Sequence, residues 1–281
     1  MLRKITGTFL ATGFAVAASA LCALAGPIDD RLAAGESIRI GFANIPIWAF
    51  PDENGNPAGF MNDVAVETLK SMGYTDIEPV VTDWGGLIPG LQAGRYDMIT
   101  GGMYILKSRC ENVSFSDPVG NFSDAFLVPT GNPKAINNYE DIVNSGSILV
   151  TGAGYNTVEA AKKVGVTDDK LMQVPGPTEI MAAVKSGRAD AGVLTYFEAS
   201  HLAHESGGEL ELGDLAKMPE WTKNWAGIGF RHEDGEFLAK FNEAMHAYIG
   251  TDAMLEKVAA NEYTKDHLPG DVTAAWVCEN R

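Results

Sequence analysis

Positive charge and cysteine are both scarce in this chain. Its 21 lysines and arginines stand against 37 acidic residues, a net charge of −16 over 281 residues. No basic stripe or arginine-rich arm occurs, so nucleic acid and anionic membrane surfaces, which are held by clustered positive charge, are poor partners. The acidic residues are scattered and read as a solvated surface. There are 3 cysteines and 5 histidines. No C-x-x-C pair occurs, and His201 and His204 beside Glu205 make no full ligand set, so no metal and no cofactor is expected. A Gly-x-Ser-x-Gly elbow and a kinase loop are missing as well. Gly152-Ala153-Gly154-Tyr155-Asn156-Thr157 lacks the third glycine of a dinucleotide loop.

Long apolar runs are also absent. The one near the start, Phe9 to Leu24, is shorter than the ~20 residues a membrane span needs. It follows Arg3 and Lys4 and ends in Ala23-Leu24-Ala25, the pattern of an export signal over residues 1–25. Cys22 follows Leu21, where lipoprotein processing requires a small residue. The expectation is a soluble, periplasmic chain starting near Gly26. Cys110 and Cys278 then remain, and an even count in an exported chain favours one disulfide, with two free thiols as the alternative.

What is present alternates between strand and helix. Ser37 to Ala43 and Ile77 to Thr82 read as strands, each followed by a tryptophan, Trp48 and Trp84. Pro51 to Phe60 reads as a hairpin, and Asn62 as the cap of a following helix. Between Asp83 and Arg109 lie a short helix, a strand from Tyr96 to Thr100, the pair Gly101-Gly102, Tyr104 and Arg109. Glycines at a strand end allow a ligand close to the main chain, and Arg109 offers a planar fork of donors suited to a carboxylate. A second series of strands and helices starts after Pro129 to Pro133, with strands at Ser147 to Thr151, Leu171 to Val174 and Ala189 to Leu194. Thr157 opens a helix whose positive end suits an anion. The strand at Trp225 to Arg231 and the helix after Asp234 read as a return to the first unit. This predicts an α/β chain of two lobes, each a mainly parallel sheet flanked by helices. The lobes are placed at 26–130 with 222–281, and at 131–221, joined by two crossings.

GLIPGLQAGRYDMITGGMYILKSR, VSFSDPV and the Gly-Asn-Pro at 131 to 133 resemble the amino-acid class of extracellular solute-binding proteins that serve ABC importers. The resemblance covers nearly the whole mature chain. It implies a type II periplasmic-binding fold, a monomer, delivery of a small solute to an inner-membrane permease, and no catalysis. Arg109 would then grip a ligand carboxylate and Thr157 would support it. Amino-acid binders place an aspartate after the ADAGVL-type strand, and Thr195 stands there instead. The ectoine- and hydroxyectoine-binding branch is similar in GLIPGLQAGR, in the Arg109-Cys110 pair and in the late cysteine. By that resemblance Trp48, Trp84 and Tyr104 would box a delocalised cation, with Arg109 and Thr157 at the carboxylate; Gly102, Asn156 and Thr195 are further candidates for the site. Ile45 replaces an acidic residue of that branch, which implies that a betaine without N–H groups is better tolerated. Amino-acid or betaine binding is the alternative cargo. A lyase on the same fold is the alternative class, and it would need an acid or base facing the ligand; Asp83 and Asp124, the nearest carboxylates, show no tuning partner in the sequence.

Overall fold

The computed structural model describes residues 26–281; the export signal expected over 1–25, with Arg3, Lys4 and Cys22, lies outside the described residues. Two sheets carry the fold. In the first, Ile38–Phe42 runs parallel to Ile77–Val81 and to Met98–Tyr104. Asn224–Phe230 then adds antiparallel to Met98–Tyr104, so the late strand joins the first sheet. Ser114–Phe115 and Gly120–Phe122 pair antiparallel on its outer side. The sheet is therefore mixed, with a parallel half and an antiparallel half, rather than mainly parallel.

The second sheet has Leu171–Val174, Leu149–Gly152 and Ala191–Thr195 in parallel. Asp124–Pro129 pairs antiparallel to Ala191–Thr195 and Leu210–Leu212 antiparallel to Asp124–Pro129. This pairing moves the first crossing. Phe122 belongs to one sheet and Asp124 to the other, so the chain changes lobe at Ser123, ahead of the boundary expected at 130. The turn formers at 129–133 end a strand of the second lobe. Its residues alternate between two cores: Ala125 and Leu127 join Ile180 and Leu194 on one face, and Phe126 and Val128 join Tyr139 and Val193 on the other. Helices cover both faces, which is why the strand reads as one apolar run. The chain crosses back between Trp221, stacked on Tyr139, and Asn224.

Local chemistry explains the elements that hold the site. The helix Phe60–Ser71 starts after Gly59, whose φ is 95°. A Cβ on Gly59 would stand 2.6 Å from the Trp48 carbonyl oxygen. Asn62 is not the cap. It lies buried inside the helix, donating to Ala58 O at 3.0 Å and accepting from Thr100 Oγ1 at 2.6 Å, which ties the helix to the central strand. That strand runs on past Thr100 to Tyr104, with Gly102 at φ 76° and an irregular register against Gly227 and Gly229. The irregularity kinks the strand, as extra residues in a ladder do, just before Tyr104.

Cys110 and Cys278 are joined, with Cα atoms 6.0 Å apart. The bond ties the helix Ala274–Asn280 to the helix Lys107–Cys110, one residue from Arg109. A loop of 168 residues lies at the upper end of the entropic stabilisation a crosslink gives. Replacing both cysteines by serine should lower stability by about 2 to 4 kcal/mol. The check is a lower free energy of unfolding in denaturant, with a steeper slope because the uncrosslinked unfolded chain exposes more surface; an unmoved midpoint would show that the crosslink contributes nothing.

Candidate functional site

The cavity lies between the two sheets, where strand ends from both lobes meet. It is lined by Ile45, Trp48, Trp84, Gly101, Gly102, Tyr104 and Arg109 from the first lobe. Tyr155, Asn156, Thr195 and Glu198 line it from the second. This is the usual place for ligands in open α/β sheets, beyond the carboxyl ends of strands. The free space within it is about 20 Å³, near that of one water, so a larger solute fits once the lobes part or the rings shift.

Arg109 is buried, and its Nη1 donates to the Tyr104 carbonyl at 2.8 Å while Nη2 donates to the Gly154 carbonyl at 2.9 Å. Burial pulls its pKa down to about 10, with Glu159 and Tyr104 opposing. Gly154 O also accepts Trp84 Nε1 at 3.1 Å, so one carbonyl of the second lobe receives two donors from the first. The Trp84 ring meets the Tyr155 ring edge-on, with centroids 5.3 Å apart, and the Arg109 guanidinium carbon stands 5.6 Å from its centre. Replacing Trp84 by phenylalanine keeps a ring and removes this latch. Affinity for every solute should fall about two- to tenfold, the worth of one net hydrogen bond. Equal affinities for wild type and variant in calorimetry would show that the latch plays no part in closure.

Trp48 is only partly a wall. Its ring packs into a buried cluster with Phe60, Phe122 and Phe197, at centroid distances of 4.8, 4.6 and 6.1 Å, and its Nε1 donates to Thr195 Oγ1 at 3.1 Å across the cleft. Gly102 serves that ring. A Cβ there would stand 2.2 Å from Trp48 Cε3, so the missing side chain makes room for Trp48 rather than for a ligand. Gly152 has the same relation to Tyr155, whose ring a Cβ would approach to 2.5 Å. Tyr104 is buried, and its hydroxyl has no partner among the described residues; burial raises its pKa.

In the second lobe the structure departs from expectation at Thr157. It is fully buried, its hydroxyl is bonded to Thr151 Oγ1, and it does not line the cavity. Tyr155 precedes the helix Asn156–Lys163, and Tyr155 and Asn156 line the cavity in its place. Asn156 Nδ2 donates to Asp124 Oδ1 at 2.9 Å, and Tyr139 donates to Asp124 Oδ2 at 2.7 Å. Asp124 thus has partners that the sequence does not reveal, and burial pushes its pKa up to about 7.

The acidic group expected after the Ala191–Thr195 strand is present, one helical turn later. Thr195 caps the helix Tyr196–Glu205 in a reciprocal box with Glu198. Thr195 Oγ1 donates to Glu198 Oε2 at 2.6 Å, and Tyr155 donates to Glu198 Oε1 at 3.2 Å. Glu198 is 5% exposed, and burial raises its pKa against these bonds. The spacing Thr195-x-x-Glu198 was the signal available in the sequence. Among the described residues neither Glu198 nor Arg109 belongs to an ion pair. One cavity therefore holds a buried guanidinium and a buried carboxyl, neither paired with a charged side chain among the described residues.

Residues 38–258 match the bacterial extracellular solute-binding proteins, family 3. The chain is 32% identical over 266 residues to a probable amino-acid ABC transporter periplasmic-binding protein of Sinorhizobium fredii, covering 92% of this chain and 88% of that one. Its fold is similar to that of EhuB in complex with hydroxyectoine, with a TM-score of 0.77 at 24% identity over 90% of this chain and 98% of that one. It is also similar to the ancestral amino-acid-binding protein AncCDT-1, a precursor of cyclohexadienyl dehydratase, with a TM-score of 0.71 at 27% identity over 85% of this chain and all (100%) of that one. Fold, cleft and sequence together place the chain in the bacterial extracellular solute-binding proteins of family 3.

Proposed function

We propose that this protein captures a small zwitterionic compatible solute of the ectoine or hydroxyectoine type in the periplasm and presents it to an ABC importer's permease. The observation that carries the reading is the pair Arg109 and Glu198, a buried guanidinium and a buried carboxyl lining one cavity, neither in an ion pair among the described residues. Buried charges are retained at a cost of several kcal/mol each unless a partner compensates them. A zwitterion supplies both partners at once. Its carboxylate takes the Arg109 fork, and its delocalised cation lies against Trp84, Tyr104 and the cavity-lining edge of Trp48, where each ring face contributes about 0.5 to 2 kcal/mol.

Capture proceeds by closure. Trp48 to Thr195, and Trp84 and Arg109 to Gly154, are contacts between lobes. A solute that touches both lobes favours the arrangement in which these form. The protein acts as a monomer and needs no cofactor. The test is a thermal-shift screen of the refolded, ligand-stripped mature chain against ectoine, hydroxyectoine, glycine betaine, proline betaine and common amino acids. A solute at 100 times its dissociation constant adds about 2.7 kcal/mol to the native state. Shifts confined to ectoines support this cargo; shifts confined to amino acids or betaines keep the carrier and replace the cargo.

Glu198 also favours a second reading. A cavity-facing carboxyl of raised pKa is what a lyase uses as acid or base, and AncCDT-1 is described as the precursor of a dehydratase. Steady turnover of a bound hydroxy acid, abolished in Glu198→Gln, would establish that reading.

A further inference from the structure

Resting on the zwitterion reading, we infer that Glu198 selects the cargo by accepting an N–H from its cationic nitrogen, so that N–H-bearing zwitterions are preferred over fully N-methylated ones. The argument is one of satisfiability. An ionised carboxylate has about four lone-pair positions. On Oε2, two are taken by Thr195 Oγ1 at 2.6 Å and Thr195 N at 3.3 Å, and on Oε1 one is taken by Tyr155 at 3.2 Å. One position on Oε1 has no donor among the described residues, in a residue that lines the cavity. Leaving it empty in a closed cleft costs more than filling it.

Three groups hold the carboxylate on that wall. Thr195 is itself fixed by the Trp48 indole from the other lobe at 3.1 Å, so closing the cleft sets the position of Glu198. Tyr155 is wedged between Gly152 and Trp84. Ile45, on the opposite lobe, offers only an apolar surface. The acceptor that the first lobe lacks is therefore supplied by the second. A quaternary ammonium satisfies the rings and the charge but presents no hydrogen to Oε1, whereas a ring N–H or a secondary ammonium presents one. A betaine, which the Ile45 substitution taken alone favours, is accordingly the weaker ligand.

A site built to hydrogen-bond an N–H rejects the analogue lacking it because its polar group is left unpaired. Matched pairs test this: proline against proline betaine, and ectoine against its N-methylated derivative, titrated calorimetrically into wild type and Glu198→Gln. Glutamine preserves the capping box, and an unfolding midpoint within a few degrees of wild type verifies the fold. Wild type should bind the N–H member of the pair at least about tenfold tighter. In the variant that member should lose about tenfold while the methylated one changes less than about threefold. Equal or tighter binding of the methylated member by wild type, or equal losses for both in the variant, would overturn the inference and leave the zwitterion reading standing. Failure of wild type to bind any zwitterion would overturn both.

Discussion

Alanine at position 109 should weaken solute binding by about 10- to 100-fold, on the order of 1.5 to 3 kcal/mol for a charge-assisted contact. Two losses combine. The ligand carboxylate loses its guanidinium, and the Gly154 carbonyl loses the 2.9 Å bond that reaches it from the first lobe. The variant also leaves the Glu198 carboxyl with no cationic side chain lining the cavity, so a zwitterion should lose more than a simple cation. Lysine should not restore affinity, because a point charge cannot donate to Tyr104 O, Gly154 O and a carboxylate in one plane. Calorimetry on the purified variants decides it. Unchanged affinity in Arg109→Ala would remove this residue from the site.

Gly102→Ala should be strongly destabilising. A φ of 76° costs a residue with a Cβ about 1 to 2 kcal/mol. The new atom would also stand 2.2 Å from the Trp48 ring, and overpacking of a core adds about 1 to 3 kcal/mol. Together these predict a loss of about 3 kcal/mol, read as a lower denaturant midpoint. Pushing Trp48 away also breaks its bond to Thr195, so affinity should fall with stability. Gly101→Ala is the control. Its Cβ would meet Leu87 at 3.4 Å and other atoms no closer than 3.7 Å, so stability should drop by much less. A Gly102→Ala protein as stable as wild type would show that the kinked strand end adapts.

The legible parts of this molecule were those set by local periodicity. Strand and helix alternate clearly, and the tryptophans and arginine after strand ends could be placed beside one cleft. The crossing at Ser123 was hidden because Asp124–Pro129 is apolar on both faces and would read the same in either sheet. Only pairing with the distant Ala191–Thr195 assigns it. Thr157 looked available at a helix start, yet its hydroxyl direction is decided by Thr151, on the preceding strand. Asn62 resembled a cap, but Gly59 takes that place because no Cβ fits against Trp48 O. Glu198 illustrates the sharper limit. Its capping-box spacing is visible in the sequence and fully explains it as a helix feature; that this helix end opens onto the cleft is a property of the packed lobes. The substitution at Ile45 suggested a missing acceptor for the same reason, since the compensating residue lies 153 positions away (198 − 45) on the other lobe.

Titration calorimetry with the zwitterion giving the largest thermal shift, set beside its methyl ester, measures the central claim most directly. The ester keeps the cation and its ring contacts and removes the charge that Arg109 is held to grip. One-to-one binding of the zwitterion, with the ester at least about tenfold weaker, is the predicted result. Equal affinities would contradict a site organised around Arg109 and a ligand carboxylate.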